Sequence, residues 1–358
     1  MTLPDIIQVE VTTACQAGCT FCPRTPLRDG WISKHIEWSD FAGVLPLVKK
    51  GTLVHLQGWG EPLLHPHLWD MAAAVRQQKG SVSLTTNGGL LDEAVAREIC
   101  RTRFKFIAVS LAGATASLHD KLRPGPGLDV ICANIEQLSR MKGRPPVHIA
   151  FQMMKPNLEQ LPGVVSLAAS IGADRVIASN LDCIAGPEMD RLRVFGQERN
   201  QFAEDVIAEA MHMAREKKIA IDIYPLRLRQ DVPVCEADPL HTVFVTSGGE
   251  IAPCVYTRLP LQGDIPRYFE GRQESIPPFS YGRVGDGFEY VMKGKKAREF
   301  TGAFERRNEA VVAGGARGFA LLAMPGLRNI QAADIVRKQI QLPAAPEQCR
   351  FCYKLFGI

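Results

Sequence analysis

Seven of the ten cysteines in this 358-residue chain fall into two sets whose spacing suits metal chemistry. Cys15, Cys19 and Cys22 form a CxxxCxxC run directly after the first apolar stretch, with Gly18 inside the loop to relax its backbone. Three thiolates cannot complete a tetrahedral zinc site, and structural zinc usually presents paired CxxC knuckles. A 4Fe-4S cluster on three thiolates instead leaves one iron open to an outside ligand. The second set joins Cys235 and Cys254, either side of the Gly248-Gly249 pair, to the CxxC of Cys349 and Cys352. Four such cysteines can close a 4Fe-4S cluster or hold a structural zinc. Cys100, Cys132 and Cys183 sit in helical or strand-end apolar contexts and read as buried hydrophobes. His55, His65 and His67 share no face that would let them bind one ion together.

An open iron can chelate the amino and carboxylate groups of S-adenosylmethionine (SAM) and pass an electron to its sulfonium. With Phe21 just before the third cysteine, the first set resembles the CxxxCxΦC signature of the radical SAM superfamily. Gly58-Trp59-Gly60-Glu61-Pro62 resembles that family's GGEP motif, with Trp59 between the glycines. The glycines allow close backbone approach, and Glu61 offers an acceptor for the SAM ammonium. By the same resemblance, Thr86-Asn87 ends the third strand at the cofactor, and Ser110 and Gln152 hydrogen-bond the ribose or methionine carboxylate. Leu181 meets the adenine, and Arg123 neutralises the carboxylate. The Cys235-x13-Gly249-x4-Cys254 spacing with the late CxxC resembles the twitch subdomain, the short form of the SPASM domain. That likeness implies one auxiliary 4Fe-4S cluster with all four corners on protein thiolates.

These loops need strands to hold them. From Ile6 to about Lys218, β-branched runs alternate with amphipathic helical patterns, which predicts βαβ units on a parallel sheet. The strands expected are Ile6–Thr13, Leu53–Gln57, Val82–Thr86, Phe104–Leu111, Val147–Met153 and Arg175–Asn180, each apolar enough for burial on both faces. Helical patterns fall at Leu68–Gln78 and Val130–Arg140. Beyond Ile219–Tyr224 the prolines at 225, 233, 239, 253, 260 and 266 break any long helix. A hairpin is expected within His241–Pro253 and one more helix over Phe288–Arg306, while the stretch from 313 to 345 resists assignment. The fold class is therefore α/β: a partial (β/α)6 TIM-like barrel over 1–224, then a small twitch/SPASM-like auxiliary-cluster domain over 225–358.

Composition limits the function. With 46% hydrophobic and 22% charged residues and a net charge of +4 from scattered basic residues, neither a disordered chain nor a nucleic-acid binder is indicated. The apolar stretch 310–327 is interrupted by Arg317 and Pro325, so no membrane span is expected. Without a signal-peptide pattern, a cytoplasmic, reducing location follows, where thiols serve metals rather than disulfides. The resemblance implies an enzyme that reductively cleaves SAM to a 5′-deoxyadenosyl radical, using a flavodoxin- or ferredoxin-type reductant, and abstracts hydrogen from a substrate C–H bond. The auxiliary cluster would favour net oxidation, an oxidoreductase or maturase acting on a peptide, protein or cofactor. Alternatives are a sugar or aminocyclitol dehydrogenase and, in another class, a zinc-stabilised binding protein. With about five residues before its first strand, the chain is expected to recognise any peptide through its barrel, its 261–345 region or a separate protein.

Overall fold

The computed structural model describes residues 3–313 and 341–358. Strands β1 (Ile6–Val9), β2 (Leu53–Leu56), β3 (Ser81–Thr86), β4 (Ile107–Leu111), β5 (Val147–Met153) and β6 (Arg175–Asn180) lie within or close to the predicted runs. They pair in sequence order, all parallel. β7 (Ala220–Ile223) adds a seventh parallel strand beside β6, beyond the six units the sequence predicts. The helices between them bury one face. Leu68–Gln77 turns Leu68, Met71, Ala72 and Val75 inward, the spacing of a single helical stripe, and Leu128–Ser139 does the same with Leu128, Ile131, Ile135 and Leu138.

Burial on both strand faces was the expectation, and the structure differs. Along β5, Val147, Ile149, Phe151 and Met153 are buried, whereas His148, Ala150 and Gln152 are only half-buried. β2 and β6 alternate likewise. The outer face packs on the helices, while the inner face of a partial barrel lines an incompletely filled lumen, which leaves room for polar side chains.

After residue 225, β8 (Thr242–Val245) and β9 (Glu250–Ala252) form the expected antiparallel hairpin, turned at Gly249 with φ +75°. β8 also pairs parallel with β1, from Ile6 opposite Thr242 to Val9 opposite Val245. β10 (Ile265–Phe269) and β11 (Arg272–Ile276) make a separate hairpin, and β12 (Gly282–Arg283) pairs with β9. The large sheet therefore holds ten strands, ordered β12-β9-β8-β1-β2-β3-β4-β5-β6-β7, and is continuous across residue 225. The helical pattern predicted over Phe288–Arg306 is split at Gly294 into Phe288–Lys293 and Lys295–Ala313. Residues 314–340, most of the stretch that resists assignment, lie outside the described residues. No described helix is long and apolar enough to cross a membrane.

Candidate functional site

The loop that follows β1 carries Cys15, Cys19 and Cys22, and its shape is fixed by backbone partners. Gly18 N donates to the Pro124 carbonyl at 2.6 Å and Thr20 N to the Leu122 carbonyl at 3.0 Å. These bonds hold the loop against the segment containing Arg123, whose guanidinium lies 5.9 Å above the Phe21 ring. Arg24, which the motifs do not mark, donates to the Cys15 carbonyl at 2.9 Å and to the Ala17 carbonyl. The three thiols feel one another electrostatically. Burial pushes Cys22 up to about 11 and raises Cys15, with neighbouring thiols adding to both, so thiolates here call for a cation such as a metal cluster to stabilise them.

The Gly58–Pro62 segment leaves β2 against this loop. A Cβ on Gly60 would stand 2.4 Å from the Thr12 carbonyl oxygen and 2.5 Å from that of Ala14, and one on Gly58 would meet Glu10 Cγ at 2.3 Å. Only glycine permits this closeness. Glu61, 2% exposed, accepts hydrogen bonds from Thr86 Oγ1 (2.7 Å), Asn87 N (2.7 Å) and Leu63 N (3.1 Å). Its carboxylate therefore fastens the motif to the end of β3, with one lone-pair direction left of about four. Burial raises its pKa, and the three donors and Arg123 oppose that. Asn87 continues the contact, its amide nitrogen 3.9 Å from Cys15 Sγ and 3.3 Å from Gln16 Oε1.

Glu10, one residue past β1, is a second buried carboxylate that sequence reasoning passed over. It accepts from Trp59 N at 3.0 Å and from Ser247 N and Oγ, each at 3.2 Å, so it ties β1 to the glycine motif and to the β8–β9 turn. Burial pushes it up from 4.5 to about 7 despite these donors and nearby Lys34. A carboxylate set among Val9, Val11 and other strand residues was the available signal.

The remaining predicted positions gather at the same end of the strands. Leu181 packs in one cluster with Cys19, Phe21 and Ala112. Ser110 is half-buried on β4, and Gln152 donates to the Asn180 carbonyl at 3.1 Å. His55 lies apart, bonded to Ser83 Oγ (2.8 Å) and Gln57 Oε1 (2.7 Å), and burial lowers its pKa to about 4, which keeps the ring neutral. His65 bonds to the Ile36 carbonyl at 3.2 Å. Trp59 bridges outward: its ring meets Trp31 and Tyr256 edge-on at 6.5 and 6.3 Å, and Nε1 donates to the Val255 carbonyl.

Cys235, Cys254, Cys349 and Cys352, drawn from three separated segments, line one cavity together with Tyr256 and Arg267. Burial raises all four thiols, Cys254 to about 11, and their mutual repulsion adds to it. Among the described residues, no three His, Cys, Asp or Glu side chains converge closely enough to hold a single metal ion. Above the cavity, Lys354 Nζ lies 2.8 Å from both Asp182 Oδ2 and Glu236 Oε2, and Tyr256 Oη donates to Asp182 at 3.0 Å. Burial disfavours the ammonium, but the two carboxylates outweigh it and raise its pKa. Asp182 follows β6, so this network joins the mouth of the barrel to the C-terminal CxxC.

Residues 9–167 match the profile described as the Radical SAM superfamily. This segment is a radical SAM domain. Among its relatives, the chain is 21% identical over 289 residues to the tungsten-containing aldehyde ferredoxin oxidoreductase cofactor-modifying protein of Pyrococcus furiosus, covering 78% of this chain and 77% of that one. It is 30% identical over 174 residues to the AdoMet-dependent heme synthase of Methanosarcina barkeri, covering 48% of each. With the mycofactocin maturase MftC of Mycobacterium tuberculosis it shares 25% over 172 residues, 48% of this chain and 43% of that one. The last two matches thus span less than half of those relatives. In three dimensions it resembles SuiB of Streptococcus suis bound to S-adenosylmethionine, with a TM-score of 0.60 at 13% identity over 83% of this chain and 68% of SuiB. The radical SAM domain and its SAM-bound structural neighbour support SAM and a 4Fe-4S cluster as cofactors. Three cysteines on one loop, held closely against the glycine motif, suit that pair of groups.

Proposed function

We propose that this radical SAM enzyme holds its SAM-binding cluster at Cys15, Cys19 and Cys22 and a second, auxiliary 4Fe-4S cluster at Cys235, Cys254, Cys349 and Cys352, and that it carries out a net oxidation in the maturation of a peptide or cofactor. The observation that carries this reading is the single cavity lined by four thiols from three segments, joined through Asp182 and Lys354 to the end of β6. When bound, the first cluster with SAM supplies hydrogen-atom abstraction from an unactivated C–H bond. The protein's residues orient that chemistry. Arg24 fixes the cluster loop, Glu10 and Glu61 hold the glycine motif, and Arg123, over the Phe21 ring, is assigned to the methionine carboxylate as a charge-assisted partner. Ser110 and Gln152 are assigned to the polar part of SAM and Leu181 to its adenine. Trp31, Trp59 and Tyr256 pack edge-on in a row from the glycine motif to the auxiliary cavity.

A peptide or cofactor substrate is favoured by relatives named as a maturase, a cofactor-modifying protein and a heme synthase. The residues from 225 onward form the auxiliary part, resting on β8 and the β10–β11 hairpin. Anaerobically reconstituted full-length protein should bind about eight irons per chain as two clusters and yield 5′-deoxyadenosine from SAM under reduction. About four irons with stoichiometric zinc would refute the auxiliary cluster, and no SAM cleavage would refute the assignment of the first.

A further inference from the structure

Among the described residues, the cavity of the four auxiliary cysteines is flanked by more positive charge than its neighbours balance. Arg267, on β10, is 4% exposed, and Arg307, on the Lys295–Ala313 helix, is 6% exposed. Arg267 lines the cavity and donates to the carbonyls of Tyr256 and Pro266 and, at 3.7 Å, to Cys183 Sγ. Arg307 donates to the carbonyls of Val232 (2.6 Å), Pro233 (3.0 Å) and Pro343 (2.6 Å). Among the described residues neither guanidinium forms an ion pair with a carboxylate, whereas the third buried cation, Lys354, has Asp182 and Glu236. A buried charge without a counter-ion costs several kcal/mol, so such arginines imply an anionic neighbour. Arg267 lines the cavity and lowers the cost of the Cys254 and Cys352 thiolates, while Arg307, bonded to the Val232 and Pro233 carbonyls just before Cys235, interacts with the Cys235 and Cys349 thiols.

We propose that Arg267 and Arg307 are the charge-compensating pair of the auxiliary cluster and raise its reduction potential. The inference rests on the auxiliary cluster proposed above. Four thiolates on a dicationic 4Fe-4S core leave two net negative charges, the same number as the two guanidiniums, and one further electron adds a third. Positive charge held in a buried, weakly screening site stabilises the more negative, reduced form more than the oxidised one. Hydrogen bonding and charge around a cluster are the protein's usual means of setting its potential.

The test uses full-length protein carrying Cys15→Ala, Cys19→Ala and Cys22→Ala, reconstituted anaerobically, so that the auxiliary cluster alone is titrated with dithionite and mediator dyes under EPR. In that background Arg267→Met and Arg307→Met should each keep about four irons and lower the reduced-to-oxidised ratio at fixed potential at least tenfold, a midpoint shift of about 59 mV to the negative. Arg267→Lys and Arg307→Lys should shift it far less. An unchanged midpoint in both methionine variants overturns the proposal. If a methionine variant loses its iron while the matching lysine variant keeps it, the need for charge is upheld, and loss from both means that side-chain packing is what matters and overturns it. Zinc in place of iron in the parent protein overturns the auxiliary cluster itself and the inference with it, a result distinct from an iron-loaded cluster whose midpoint does not move.

Discussion

Two carboxylates separated by fifty residues in sequence do similar work from opposite sides of one glycine motif. Glu61 was legible because its motif is; Glu10 was not, since no motif marks it and its value lies in three donors that only the folded sheet brings together. Its folded pKa of about 7 stands above the ordinary 4.5, so the folded state holds the proton more tightly. That contribution to stability is complete below about pH 4.5 and is lost as the pH rises through 7, amounting to ~2–3 kcal/mol across the window. Glu10→Gln mimics the neutral form. Its melting temperature relative to wild type should therefore climb between pH 5 and pH 8, and a flat difference would show that Glu10 stays ionised throughout. For Glu61→Gln and Arg123→Ala, SAM affinity measured by calorimetry should fall roughly ten- to a hundredfold, the loss of one charge-assisted contact or of its support, while iron content holds. Unchanged affinity in either variant would remove that residue from the cofactor site.

Steric closeness between elements yields a graded test. Gly60 faces backbone carbonyls of the cluster loop, which cannot step aside, whereas Gly58 faces the side chain of Glu10, which can shift at some cost. Gly60→Ala should thus lower thermal stability by about 1–3 kcal/mol and displace the loop enough to impair cluster assembly, with Gly58→Ala the milder of the two. Equal effects, read by iron content and melting, would mean the loop yields more than its hydrogen bonds suggest. Much of the element pattern could be read directly: β5 and β6 begin and end where their apolar runs do, and the helix after β2 shows its buried stripe in the sequence. β10 and β11 could not. Pro266 sits inside β10, a residue that argues against a strand, and the turn relies on Glu270 at φ +46° followed by Gly271. The pairing of β8 with β1 was hidden for another reason: nothing in a four-residue apolar run states which neighbour it will find. The cysteine sets, by contrast, were visible from spacing alone, but the arginines beside them were not, because a buried arginine looks like any surface one until its surroundings are folded.

At the scale of the whole molecule, the C-terminal residues reach back into the barrel. Tyr353 packs on Phe195 and Phe269, and Lys354 neutralises Asp182 at the end of β6. Lys354→Met should cost about 3–5 kcal/mol, because it leaves a buried carboxylate with no cation, and Lys354→Met with Asp182→Asn should recover part of it. If the double variant is no more stable than the single one, the two residues act independently. Cys349→Ala with Cys352→Ala should leave SAM cleavage in place but reduce oxidised product far more than 5′-deoxyadenosine, and a parallel fall in both yields would deny the auxiliary site an electron-accepting part. The place of β8 in the sheet has a consequence for how the protein is made. β1 leaves the ribosome long before β8, so one of its two edges stays unpaired until residues 242–245 have been synthesised and threaded beside it. Closing a sheet across so long an intervening chain is slow, and an open strand edge invites other nascent chains to add to it. Translation arrested between β7 and β8 should therefore yield an aggregating species even though all six predicted barrel strands are already present. The cell must either finish the chain quickly or shelter that edge until it does.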